Sequence, residues 1–206
     1  MTYDRGRLIN YGGMVLILGC ASAIIADIIG ILVYEDHNPI RQTISQLAHG
    51  KFAYIQDIGL VLLSLGILSA AVALYVWKSN DKRFIFGAAA LSIMGIGIGV
   101  LAEFNQLVGE PGTTIHIVVT AMIGTLFLFA AITLGIGFKE LNRTWAYTSI
   151  GIGISVLLSC LGFLFISEKY EGFYERGVVL FVMIWFLGLG YVLYNVPQKR
   201  GLNKLN

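Results

Sequence analysis

The chain has 206 residues, of which 57% are hydrophobic and only 13% charged, and its mean hydropathy is +0.79. Soluble domains carry about 25% charged residues, so this composition excludes an ordinary domain folded in water. A net charge of +2, with no arginine-rich stripe, excludes nucleic acid as a partner.

Apolar runs recur from one end of the chain to the other, each long enough to cross a hydrocarbon core of about 30 Å, which takes about 20 helical residues. They fall at roughly 10–33, 54–77, 84–103, 115–138, 146–167 and 175–194. Lipid accepts only helices or closed barrels, because every backbone polar group must be satisfied internally. Barrel strands alternate in polarity and these runs do not. The expectation is an all-α integral membrane protein, a bundle of six transmembrane helices forming a single domain over 1–206. The first run follows MTYDRGRLIN with no small-residue cleavage site, so it reads as a retained helix and not a signal peptide.

The loops carry the orientation. Arg5, Arg7, Lys78, Lys82, Arg83, Lys139, Arg143, Lys199, Arg200 and Lys204 lie at the termini and in the second and fourth loops; Arg41, Lys51, Lys169 and Arg176 lie in the other three. The positive-inside rule then places both termini in the cytoplasm of a plasma-membrane protein. In the first outer loop, Asn38-Pro39 reads as a cap followed by a first helical residue. Ile40, Ile44, Leu47 and Ala48 share one face of a short amphipathic helix that Gly50 can end. In the third loop, Gly109-Glu110-Pro111-Gly112 is a turn signature, and Thr113 or Thr114 can cap the fourth helix.

Small residues let helix backbones approach closely in lipid. Gly95, Gly97 and Gly99, Gly151 with Gly153, and Gly188 with Gly190 predict close packing inside the bundle, with a homo-oligomer through such faces as the alternative. Cys20 and Cys160 both lie in apolar runs and read as small hydrophobic residues.

Ionisable groups inside a membrane span cost about 2.5–3.5 kcal/mol at its centre, so the few present are candidates for function. Asp27 lies about two turns inside the first span. Asp57 lies near the start of the second, Glu103 at the end of the third, His116 at the start of the fourth, and Glu175-Arg176 at the start of the sixth. All approach the outer face, together with Arg41 and Ser45 of the first loop. They predict an outward-facing polar pocket that binds or transports a small molecule or a lipid headgroup, with Arg176 holding any anionic part. His116 with Asp27, Asp57 and Glu103 offers ligands of a kind zinc or manganese accepts, but no HxxxH or HExxH spacing supports a metal, and no cofactor is expected. Asp57 and Glu175 also suit the helix dipole without any further role. Trp185 lies mid-span, and its indole N–H needs a partner.

Arg41-Gln42-Thr43-Ile44-Ser45-Gln46-Leu47-Ala48 after the first span, His116 opening the fourth, and Gly172-Phe173-Tyr174-Glu175-Arg176 opening the sixth with Trp185 beyond resemble the domain-of-unknown-function 998 family. That resemblance spans nearly the whole chain. It implies a six-helix membrane protein and no settled biochemical activity, and it points to Ser45, His116, Glu175 and Arg176. The alternatives to binding or transport are an intramembrane or interfacial enzyme acting on lipids, metal-dependent or serine-type, and a structural or accessory membrane subunit.

Overall fold

The computed structural model describes residues 2–103 and 111–202. Six long helices follow one another: α1 (Thr2–Val33), α2 (Ala53–Lys78), α3 (Lys82–Glu103), α4 (Pro111–Phe138), α5 (Arg143–Gly162) and α6 (Glu171–Leu202). All six are long and apolar enough to cross a membrane, and the described residues contain no strand. Each helix packs on the next and α6 returns to α1, so the bundle closes as a ring in chain order. The helix exteriors present Leu18, Ile25, Leu32, Leu158 and Leu164, large apolar side chains that only a lipid solvent would favour in such number.

Two of the tight turns show why the chain reverses where it does. The Asp81 carboxylate accepts from Arg83 N at 3.0 Å at the head of α3, and Asn142 Oδ1 accepts from Trp145 N at 3.0 Å at the head of α5. Each takes up a backbone donor that the first helical turn leaves unpaired. The turn signature at Gly109-Glu110 lies outside the described residues. Pro111 and Gly112 are already helical, so the cap position of α4 precedes Thr113 and Thr114.

The expected short helix of the first loop is a 3-10 helix, Ile44–Ala48, and it starts later than Asn38-Pro39. Asn38 Oδ1 accepts from Ile40 N at 3.0 Å, and Gln42 N donates to Asn38 O at 2.8 Å, which closes a turn instead of opening an α-helix. Leu47 and Ala48 are buried while Ile40 is exposed. The segment therefore packs down on α1, α2 and α6 as a roof over one end of the ring. A second 3-10 turn, Gly50–Phe52, leads into α2; Gly50 has φ +75°, a left-handed conformation that glycine adopts without penalty.

The opposite end of the ring is closed by aromatic packing. Phe84 and Phe138 are fully buried edge to face at 5.0 Å, with Trp77 against both. Trp185 is also fully buried. Its Nε1–H donates to Ser149 Oγ at 2.7 Å, whose hydroxyl donates to Ala131 O at 2.7 Å, so one polar thread joins α6, α5 and α4. Gly95, Gly97, Gly99, Gly153, Gly188 and Gly190 face neighbouring helices of the same chain; Gly151 faces open space. Among the described residues Cys20 and Cys160 are free thiols, Cys20 buried and Cys160 exposed.

Candidate functional site: a roofed chamber in the helix ring

Between the roof and the aromatic packing lies a cavity of about 470 Å³, to which all six helices contribute. Its lower wall is apolar: Leu63, Met94, Ile123, Phe127, Met183 and Phe186. Its upper rim is polar: Asp27, Ser45, Gln56, His116, Glu175 and Arg176. That volume is within the range of about 300–1,000 Å³ typical of small-molecule pockets.

The rim holds the roof in place. Arg176 sits one turn inside α6 and reaches Asp27 of α1 in a two-pronged ion pair, with Nε and Nη2 donating to the two carboxylate oxygens at 3.1 Å each. Its Nη1 donates to the carbonyls of Pro39 at 2.9 Å, Gln42 at 2.8 Å and Gly172 at 3.2 Å, and its Nη2 meets His37 Nε2 at 3.2 Å. Burial, and then the positive charge of Arg176, hold the His37 imidazole below its usual range; the neutral ring can then accept from the guanidinium. The loop comes this close because residue 172 is glycine, where a methyl group would overlap the carbonyls of Gln42 and Pro39. Phe173 N donates to Ile40 O at 3.0 Å, and Glu175 Oε2 accepts from Ile44 N at 2.6 Å.

On the far side of the rim, Ser45 Oγ of the roof lies 3.1 Å from His116 Nε2 of α4. His116 is buried and Ser45 half-buried. Gln56 of α2 lines the chamber at 3% exposure, and its amide oxygen has no hydrogen-bond partner. A buried polar group left unpaired costs about 1–3 kcal/mol; this oxygen has almost no accessible surface, so a small turn of the amide toward the cavity would let a ligand donor relieve that cost.

Of the eight residues singled out in the sequence, five meet at the chamber: Asp27, Ser45, His116, Glu175 and Arg176. Arg41 does not; it lines a separate polar cleft on the loop surface with Asp36, Glu168 and Glu171. Asp57 and Glu103 do not line the chamber either, although Asp57 lies within electrostatic range of Glu103 and His49. Successive helical residues point about 100° apart, which turns Gln56 inward and its neighbour Asp57 aside. Gln56 and His37 carry no sequence signal as site residues, because an uncharged amide and a loop imidazole do not stand out against hydropathy. Trp185 finds its partner in Ser149 and packs beneath the chamber. Among the described residues no three His, Cys, Asp or Glu side chains converge on a metal-sized site.

The wall between α5 and α6 is the thinnest part of the ring, since these two helices pack most sparsely of all chain neighbours. They are tied near the roof by Tyr174 OH donating to Ser159 O at 2.9 Å, and far from it by Trp185 and Ser149. Between those ties Val156, Cys160, Val178 and Val182 line the chamber, and Cys160 is exposed.

The family profile described as protein of unknown function (DUF998) matches residues 17–192. The chain belongs to this family. The match takes in the second half of α1, all of α2 to α5, most of α6 and the roof, so every residue lining the chamber lies within it. No curated protein and no solved structure matches this family member.

Proposed function

We infer that this protein binds an amphipathic molecule of the lipid class in the roofed chamber, apolar portion down and polar group at the rim. The observation that carries this reading is the division of one cavity into an apolar wall and a polar rim whose amide oxygen at Gln56 lacks a partner. Arg176 is already matched by Asp27, His37 and three carbonyls, so it serves as the clamp of the roof and not as an anion receptor. Recognition then falls to Ser45, Gln56, His116 and Glu175, a set suited to a hydroxyl- or ester-bearing headgroup. The thin wall between α5 and α6 offers a sideways route from the bilayer.

Conduction is the weaker reading, because Phe84, Phe138 and Trp185 are fully buried and close the opposite half, and the Ser149 hydroxyl there is already taken up by Trp185 and Ala131, not offered to ions. The excess of basic residues at the termini and in the second and fourth loops supports a plasma-membrane orientation with both termini in the cytoplasm and the roof outside.

The test is native mass spectrometry of protein purified from membranes in mild detergent. A bound lipid-class mass is expected, and Ile123→Trp, which fills the chamber, should displace it while the protein stays folded. Wild-type protein free of any bound amphiphile, and not stabilised by added lipids, would rule the reading out.

A further inference from the structure

We propose that Ser45 and His116 form a nucleophile–base pair that transfers the acyl group of an ester lipid seated in the chamber. The proposal rests on the binding reading and adds a reaction to it.

Three observations converge. Ser45 Oγ and His116 Nε2 stand 3.1 Å apart, within the distance at which an imidazole can take a hydroxyl proton as the oxygen attacks. Both side chains belong to the chamber's polar rim, and His116 stands about two helical turns from Ile123 of the apolar wall on the same helix. In an amphipathic ester the carbonyl lies between headgroup and chain, so seating the chain against Ile123 and Phe127 brings the carbonyl to the level of this pair. The third observation is Gln56, almost completely buried, lining the same chamber with an unpartnered amide oxygen. With its amide turned toward the cavity it can accept from a hydroxyl on the headgroup, which fixes the end of the substrate beyond the ester. The substrate class is therefore a fatty-acid ester of a hydroxyl-bearing alcohol.

The supports of the pair come from three helices. Glu175 of α6 holds Ile44 N at 2.6 Å, immediately before Ser45. Arg176 ties the loop ahead of it to α6 and, through Asp27, to α1. His116 enters from α4. A serine whose preceding backbone is held at two points, Gln42 and Ile44, keeps its hydroxyl in one place, which attack on a carbonyl requires.

The step balances without any added redox partner. With the imidazole proton on Nδ1, Nε2 takes the Ser45 hydroxyl proton while Oγ bonds to the ester carbonyl carbon. The bond from that carbon to the alcohol oxygen then breaks, and the alcohol leaves with the proton from His116. Water adds to the acyl-serine in the same way, His116 taking its proton and returning it to Ser45 Oγ as the fatty acid departs. The net change is ester plus water to acid plus alcohol.

The experiment uses the full chain in lipid nanodiscs and a long-chain alkyl fluorophosphonate, which an activated serine attacks with loss of fluoride. One adduct per chain, mapping to Ser45, is expected. His116→Asn should slow its formation by about 100-fold or more, the lower range of general-base contributions. No adduct, an adduct at another serine, or a rate unchanged by His116→Asn overturns the proposal. A second readout needs only wild-type protein and Ser45→Ala. Mixing with 4-nitrophenyl decanoate should release a burst of one 4-nitrophenol per chain, absent in Ser45→Ala, and a missing burst in wild type overturns the proposal. Native mass spectrometry of the same preparation separates the two readings. Bound lipid without adduct or burst removes the reaction and leaves binding standing, whereas absence of bound lipid removes binding itself.

Discussion

Arg176 presents five N–H groups in a rigid plane, and the fold meets them with a carboxylate, an imidazole and three backbone carbonyls. A charge inside a membrane protein is tolerated on those terms. Arg176→Ala leaves Asp27 without its partner and should cost about 3 kcal/mol, the low end for breaking a buried pair because both side chains keep some exposure. Arg176→Lys retains the charge without the planar fork and should recover less than roughly half of that, as thermal unfolding in bicelles would show. His37 adds a pH dependence of known sign. Its folded value lies below the ordinary value of 6.5, so the unfolded chain takes up the proton first as pH falls. Stability is then full above about pH 6.5, declines below it, and levels off once pH has passed the folded value. The melting temperature of wild type should therefore drop between about pH 7 and pH 5 relative to His37→Asn; parallel curves would remove this role for His37. At this scale the sequence was partly readable. The need of Asp27 for a cation follows from its depth. That Arg176 would spend its other donors on loop carbonyls does not, because the loop's path depends on Gly172 and on contacts some 130 positions apart in the chain.

Helix positions were legible because lipid thickness sets a length and hydropathy reports it. Helix ends were not, since water-exposed residues continue a helix without any hydropathic signal: α1 begins at Thr2 and α6 at Glu171, both ahead of their apolar runs. α5 gives way earlier, at Gly162, to a 3-10 turn, Phe163–Phe165, and a side chain at 162 would meet the Tyr174 hydroxyl. The polar thread from Trp185 through Ser149 to Ala131 belongs to this scale, because it holds α4, α5 and α6 together in a region with few other polar groups. Ser149→Ala strands the buried indole N–H and should cost about 1–2 kcal/mol. Trp185→Phe leaves Ser149 its bond to Ala131, so a stability ranking that placed loss of the indole hydrogen bond above loss of the hydroxyl, after allowing for packing, would argue against this reading.

The whole molecule is a ring with a sealed end and a roofed end, and its orientation rests on the basic residues. In a background with Cys20 and Cys160 replaced by alanine, Asn80→Cys should react with an impermeant maleimide only from the cytoplasmic side, and Ser167→Cys only from the outside. Reversed labelling would put the chamber's rim at the inner face of the membrane and redirect the search for its ligand to the cytoplasmic leaflet. The ring order itself could not be read from the apolar runs, which look alike from every side. What fixes it is short connections at one end and the pairing of α1 with α6 through Asp27 and Arg176.

The thin wall between α5 and α6 has a consequence for how any ligand must be measured. A molecule that enters sideways is drawn from the acyl phase, so its apparent affinity in water includes its partition into the bilayer. Each methylene added to an alkyl series should then tighten apparent binding by about fourfold, the equivalent of about 0.8 kcal/mol. The gain should stop at the chain length that fills the space above Phe186, and that break would measure the chamber's depth from solution data alone.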